Sequence, residues 1–552
     1  MTSSLPTHPP SLSSLAPTHE GRGGLHLRTA ALLTALGMSG QAGPPSAPGT
    51  GVPSAASSLS LPQGTHSVLT WTGDAGEPAD ELTLQASCGL MAVHGRRAGR
   101  PRVLPYDYVS TVAATAHLTA LFAADLARLR SGSPTTVHTR ADVCALVTVS
   151  QYLAAATAEE GEAVPTGPGT ATFTSADGVG FEIEALSTEP WTLFWDALRA
   201  PMTAIAGGWA PFQFRYATAC APLPPELARA AAATPWERVL RAAEGSGVGL
   251  VRVPVGRPEV LTSAVPWTLR PLGSENGRAV TSTSATELPL SGLKVLEAGR
   301  RIQAPLAARL LRSLGADVVR VEPPGGDPLR GMPPMCGGLS ARWLALNHGK
   351  DAVEVDIKSA SGRSELLELV RDADVFLHNW APGKAEQLGL CADSMGRVAP
   401  NLVHAYTSGW GDAWAGSPPG TDFMVQAQTG LTGPDPRGTG STVSSLMTVL
   451  DVLGGFLGAQ SITAALAHRE KHGGGSAVES SLRGAAHLLA SARHTDEAPV
   501  ERSGRGWVTS AAGGTRPVAE HLEDLEHDPL LSGLLHRDRG GFLTVRSPWE
   551  VS

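Results

Sequence analysis

Asp451 opens an Ala- and Gly-rich stretch, LDVLGGFLGAQSITAAL, with the spacing of a long helix. In the first helical turn the macrodipole favours the carboxylate form. A carboxylate held there could act as an oxygen nucleophile toward an activated acyl group. It could equally cap the helix by accepting free N–H groups, and taken alone the local sequence favours the cap. Asp107 opens a second Ala/Leu-rich stretch and carries the same two readings. Gly454-Gly455 and Ser408-Gly409 could bring backbone N–H groups to a developing oxyanion. They could also serve only close packing. His468 and His472 lie four apart, a spacing able to bind metal. They flank Arg469, Glu470 and Lys471 and precede three glycines, which reads as a solvated helix end, and no complete metal site is legible.

The elements that must position these groups are clearest after Leu288. Leu293–Glu297, Val318–Glu322, Ala352–Asp356, Val375–His378 and Leu402–Tyr406 read as apolar strands. Helices are expected over Ala304–Leu314 and Gly362–Arg371. This alternation predicts a parallel α/β sheet, with ligands at the carboxyl ends of its strands. Those ends are Gly299-Arg300, Glu322–Asp327, the Asn379 turn and the Ser408-Gly409 turn. Before Leu288 the pattern predicts helices over Asp107–Leu129 and Asp142–Ala155, and strands near Thr136–Val137, Val179–Leu186 and Val251–Val255. An aromatic helix follows Ser187. Gln85-Ala-Ser-Cys-Gly-Leu90 resembles Gln426-Ala-Gln-Thr-Gly-Leu431, and each precedes an Asp that opens a long helix, Asp107 or Asp451. A duplicated piece of one fold follows, with Asp107 as the twin of Asp451.

The chain has 552 residues, 42% hydrophobic and 17% charged. Residues 1–64 are rich in Ser, Pro, Thr, Gly and Ala and are expected to be disordered, apart from a short helix near Thr29–Leu36. Residues 65–165 are read as a partial first copy of the large domain and 166–290 as a small domain and linker. Residues 291–490 form the large domain, and 491–552 a segment returning to it. A net charge of -8 argues against nucleic-acid coating. No run of 18 uncharged apolar residues offers a membrane span. Five scattered cysteines without a CxxC pair, and no cationic start before an apolar core, suit reduced thiols in a cytoplasmic protein. Arg far outnumbers Lys, and the lysines are Lys294, Lys350, Lys358, Lys384 and Lys471.

Four stretches resemble the family III CoA-transferases, a group that includes formyl-CoA and carnitine CoA-transferases and alpha-methylacyl-CoA racemases. They are GLKVLEAGRRIQAPLAARLLRSLGADVVRVEPPGGDPLRG, LNHGKDAVEVDIKSASGRSELLELVRDADVFLHNWAPGKAEQLGL, SGWG at Ser408–Gly411, and the stretch that holds Asp451. They span roughly 200 residues in the family's order. Residues 82–165 resemble the part around the catalytic Asp, and 170–255 the family's small domain.

The resemblance implies a Rossmann-like parallel-sheet CoA-binding large domain plus a smaller α+β domain, with a partial internal duplication. It implies transfer of CoA between carboxylic acids through an aspartyl anhydride and an aspartyl-CoA thioester, with Asp451 as the nucleophile. For CoA it points to Ile302, Gln303, Asn347, Lys350, Asn379 and Trp380. Lys350 would lie near the nucleotide phosphates and Trp380 against adenine, while Arg330 could also reach phosphate. Gln387 and Pro323-Pro324 replace basic residues found in other members. No permanently bound cofactor is implied, since coenzyme A and acyl-CoA are substrates. Partners would be acyl-CoA and a carboxylic acid, in a homodimer or an internal pseudo-dimer. A degenerate CoA-binding scaffold without turnover is the alternative from another class. A racemase would need His before Asp422, where Thr421 stands, so a transferase is favoured.

Overall fold

In the first half, alternating residues build a six-stranded sheet. Its strands are β1 (Thr18–Gly21), β2 (Gln41–Ala42), β3 (Ser57–Leu61), β4 (Thr65–Thr70), β5 (Thr136–Arg140) and a C-terminal strand introduced below. Its longer helices are α1 (Gly23–Ala35), α2 (Tyr108–Ser131) and α3 (Ala141–Ala156). The computed structural model describes residues 17–21, 23–38, 41–42, 57–73, 79–161, 167–254, 265–272, 288–411, 417–436, 438, 440–492, 499–504, 506–531 and 533–552. The expected disorder of 1–64 is therefore corrected where residues are described. Leu25, Leu32 and Leu33 of α1 are buried in the main core, as are Leu59 and Leu61 of β3. These few large side chains find enough apolar surface on α2 to offset their ordering cost.

A second, smaller core follows. Strands β6 (Phe173–Thr174), β7 (Gly180–Glu184) and β8 (Gly249–Arg252) form an antiparallel sheet. It is covered by α4 (Thr188–Ala197), α5 (Met202–Gln213) and α6 (Trp236–Ser246). Trp191, Phe194, Trp195 and Phe212 fill the space between, with Trp191 and Phe212 at 4.5 Å between ring centres. Phe423 and Leu446 from the second half complete this core.

The larger sheet holds β9 (Trp267–Leu272), β10 (Lys294–Ala298), β11 (Asp317–Glu322), β12 (Asp351–Glu354), β13 (Val375–His378), β14 (Val403–Ser408) and β15 (Gly475–Ser481). Their order is β12-β11-β10-β13-β14-β15-β9, and every pairing is parallel except the last. Strand order reverses between β10 and β13, the crevice where such sheets bind ligands. The helices that matter for it are α7 (Gln303–Ser313), α8 (Ala341–Asn347), α9 (Asp422–Gln428), α10 (Val449–His472) and α11 (Leu482–Ala490). Strand β16 (Trp549–Val551) ends the chain's elements.

Two corrections concern the edges. Residues 267–272, expected within a linker, are the outer strand of the large sheet. Residues 549–551, expected to return to the 291–490 domain, instead pair with β5 of the first sheet. Each sheet thus takes its closing strand from the other half of the chain. The two closures match in register: Trp267 faces Ser480 on β15, and Trp549 faces Thr139 on β5. Helices α2 and α10 have 24 residues each, lie packed together, and end on Gly132 and Gly473 at φ 74° and 76°. Both helices are apolar and long enough to cross a bilayer, but their most apolar windows are 100% and 94% buried inside the fold.

Candidate active site

Asp451 is the third residue of α10, whose capping position is Thr448. Its backbone N–H donates to Asp422 Oδ2 at 2.7 Å. Gln426 Nε2, one turn along α9, donates to Asp422 Oδ1 and to the Ser445 carbonyl. The Ser445 N–H donates back to Gln426 Oε1 at 2.9 Å. This net anchors the first turn of α10 and leaves Asp451 lining a cleft. Glu184, Arg215, Tyr216, Arg301, Thr421 and Phe423 share that cleft.

Burial raises both carboxyls. Asp422 is pushed well above the carboxylate range by desolvation and by the Asp451 charge. Asp451 is pushed up to about 6 by desolvation, opposed by the Arg301 charge and aided by Glu184. The rise is the larger at Asp422, which the neighbouring Asp451 charge pushes further up, while the Arg301 charge holds Asp451 down. Glu184 comes from β7 and is held by Arg215 Nη2 at 3.1 Å and by the Thr421 hydroxyl at 2.6 Å. Arg215 stacks on Phe212 at 3.7 Å. Arg301 adopts φ 61°, a costly conformation for a side chain with a Cβ, at the carboxyl end of β10. Its guanidinium stands 5.4 Å from the Tyr216 ring centre.

The residues expected at the CoA site fall into three groups. Ile302 and Asn347 line a depression beside the Asp451 cleft, and the two share Tyr216 and Arg301. Gln303 is buried, with Nε2 on the Ser408 carbonyl at 3.4 Å, and packs over Gly454. Asn379 and Trp380 lie at the β10–β13 reversal and lock its geometry. Asn379 pairs with both the N–H and the carbonyl of Arg300 at 2.9 and 2.8 Å, and Trp380 Nε1 donates to the Ala298 carbonyl at 2.9 Å.

Lys350, expected near the nucleotide phosphates, turns its ammonium into the fold. Its Nζ donates to Glu297 Oε2 at 2.9 Å, the Pro305 carbonyl at 2.7 Å and Asn347 Oδ1 at 2.9 Å, and its side chain is 1% exposed. Burial lowers it to about 7 despite Glu297. It belongs to a buried net around Arg320, which also binds Glu297, Glu322 and Asp327. A scarce lysine thus stabilises buried acids in this structure. Arg330 pairs with Glu322 and lies over Trp343 at 3.9 Å, half-buried.

Asp107 is not the twin of Asp451. Val109 and Ser110 N–H groups donate to Glu81 at 2.9 and 2.8 Å, Gln85 Nε2 donates to Glu81, and Leu104 N–H donates to Gln85 Oε1. The offset that equates Gln85 with Gln426 equates Glu81 with Asp422 and Ser110 with Asp451. Asp107 then matches the cap Thr448, and its carboxylate pairs with Arg28 at 2.9 Å. The glycine pairs serve packing. A Cβ on Gly454 would lie 2.7 Å from Gln303, one on Gly455 3.0 Å from Leu306, and one on Gly409 2.1 Å from the Gly420 carbonyl. His468 and His472 lie 4.6 Å apart between ring centres and tilted by 35°, and among the described residues no group of three or more acidic, His or Cys side chains could hold a metal.

Sequence reasoning named Asp422 only as the acid beside Thr421, and it missed Glu184, Arg215, Tyr216 and Arg301. The Gln85/Gln426 repeat held a signal for Asp422, four residues before Gln426. Glu184 and Arg215 carry none, because only the packing of the small core against α9 brings them to Asp451.

The model for CoA-transferase family III matches residues 70–260 and 290–517. A probable fatty acyl-CoA transferase of Mycobacterium tuberculosis is 36% identical over 195 residues, 35% of this chain and 50% of that protein. The human succinyl-CoA:glutarate CoA-transferase is 32% identical over 222 residues, 39% and 48% of the two chains. A CAIB/BAIF family structure from Brucella suis aligns with TM-score 0.37 and 26% identity over 41% of this chain and 67% of that one. The chain spans about half the length of the curated relatives it matches. With two matched segments covering most of its length, the chain belongs to CoA-transferase family III.

Proposed function

We propose that this protein moves CoA between carboxylic acids, with Asp451 as the covalent nucleophile. The Asp451 carboxylate attacks the thioester carbonyl of a donor acyl-CoA, and the CoA thiolate leaves as a mixed anhydride forms. The thiolate then attacks the Asp451 carbonyl, releasing the donor acid and leaving an aspartyl-CoA thioester. The acceptor carboxylate attacks that thioester, and the expelled thiolate attacks the new acyl carbonyl. This yields the product acyl-CoA and free Asp451. Every step exchanges one activated acyl bond for another, so the balance is near thermoneutral and the site lowers only the barrier.

The observation that supports this reading is the placement of Asp451: it is the third residue of α10, its N–H is held by Asp422, and it lines a cleft with Glu184, Arg215, Tyr216 and Arg301. The CoA moiety is read as lying across the Rossmann-like crevice, with Ile302 and Asn347 beside the cleft and Asn379 and Trp380 at the strand reversal. A racemase reading is disfavoured because Thr421 is no base, and its hydroxyl donates to Glu184.

The test is incubation with succinyl-CoA and with acetyl-CoA, followed by peptide mapping. A hydroxylamine-sensitive adduct is expected on the peptide that contains Asp451, and Asp451→Asn should abolish both adduct and transfer. Transfer that survives Asp451→Asn would overturn the proposal, and CoA binding without turnover would favour a scaffold.

A further inference from the structure

We infer that the chain holds one complete catalytic centre, assembled from both of its halves, and that its second equivalent position is spent. The inference rests on the reading of Asp451 as nucleophile.

Around α2 the hydrogen-bond net of the active position recurs with one change. Glu81, Gln85 and Leu104 stand where Asp422, Gln426 and Ser445 stand, and each acid accepts the N–H of the helix's third residue. That third residue is Asp451 in one case and Ser110 in the other. Ser110 is 1% exposed, and its hydroxyl donates to Glu81 at 2.7 Å. It therefore offers neither a carboxylate nor an accessible oxygen. Among the described residues the first sheet also has no counterpart of β10 and β13. There β4 pairs on its other side with the antiparallel β3, so no strand-reversal crevice is formed.

The first half nevertheless builds the active position. Glu184, Arg215 and Tyr216 wall the Asp451 cleft. The segment leading into α10 is held by His94 on Ser445 at 2.8 Å, Arg97 on the Ser444 carbonyl at 2.9 Å and Gln151 on the Thr448 hydroxyl at 3.2 Å. The Tyr108 hydroxyl donates to the Val449 carbonyl at 3.1 Å. Side chains of two halves meet at one nucleophile, and the exchanged strands β9 and β16 tie those halves together. No residue of a second chain is required.

Complementation between inactive full-length chains tests this. Asp451→Asn removes the nucleophile. Glu184→Arg and, as a milder change at the exposed cleft rim, Leu186→Trp damage the first-half wall. We expect at least one wall variant to keep its fold and lose transfer at least about 100-fold. Co-expressed with Asp451→Asn and purified together, it should recover nothing. Peptide mapping of wild type with succinyl-CoA or acetyl-CoA should give one adduct per chain, on the Asp451 peptide, including in Ser110→Asp. Recovery of about a quarter of wild-type turnover, the share of intact sites expected from randomly paired chains, would show a site shared between chains and overturn the inference. So would an adduct on the peptide that follows Asp107, or full activity in both wall variants. Each of these leaves the proposed function standing, whereas transfer retained by Asp451→Asn strikes that function instead.

Discussion

Asp451 and Asp422 are joined by a single backbone N–H, and their different burial separates their roles. If Asp451 is the nucleophile proposed above, it attacks as the carboxylate, so kcat/KM should fall about tenfold per pH unit below about 6, the value to which burial pushes it. Arg301 opposes that rise, so Arg301→Gln should move the acid limb to higher pH, read from kcat/KM profiles of both proteins. An unmoved limb would remove Arg301 from the site's electrostatics. Lys350 makes the opposite argument. Its partners are Glu297, Asn347 and a carbonyl, so Lys350→Met should cost about 3 kcal/mol of stability by leaving Glu297 to Arg320 alone. Calorimetric CoA affinity should stay the same, and a loss of about tenfold with unchanged stability would return Lys350 to the phosphate role. The scarcity of lysine drew attention to a residue whose contacts here are with a buried acid, an amide and a carbonyl. Its acid partner lies 53 positions upstream, where spacing gives no hint.

At the scale of elements, α10 is positioned by what its glycines leave out. Gly455 accepts Leu306 of α7 at a distance where a Cβ would sit 3.0 Å from three of its carbons, and Gly458 accepts Thr407 of β14 likewise. Gly455→Val should destabilise the fold by about 1–3 kcal/mol in denaturant titration. It should also lower transfer, because α10 carries Asp451 one turn earlier. A neutral result would mean that α10 has room to shift. The strands of the large sheet were legible because buried parallel strands read as continuous apolar runs between amphipathic helices. Val375–His378 matches to the residue. Strand β9 was hidden because its burial alternates within a stretch that reads as linker, and its partner β15 lies some 200 residues away. The same holds for β3, whose Ser-rich composition reads as disorder until α2 covers one face. The Asp107 error came from matching residue type. The hydrogen-bond register, which equates Ser110 with Asp451, is set by the paired acids and glutamines.

At the scale of the molecule, the two sheets do not belong to separable halves. One hydrophobic core runs from Leu25 and Leu59 through α2 and α10 to Leu306 and Val375. Trp267 crosses into the large sheet, where its Nε1 donates to Gln460 at 2.7 Å, and Trp549 crosses into the first, donating to the Ala116 carbonyl at 3.0 Å. Neither sheet can close without the other half, so unfolding one half strips an edge strand and a helix face from its neighbour. Thermal unfolding followed by far-ultraviolet circular dichroism and by tryptophan fluorescence should therefore give one coincident transition. Trp549→Ala removes a buried indole and its hydrogen bond, for a cost of about 3–5 kcal/mol. It should lower that single transition as a whole, although the substitution lies in the first sheet. Two separated transitions, or a loss confined to one while the other keeps its midpoint, would mean that the halves fold independently and that the exchanged strands are only surface additions.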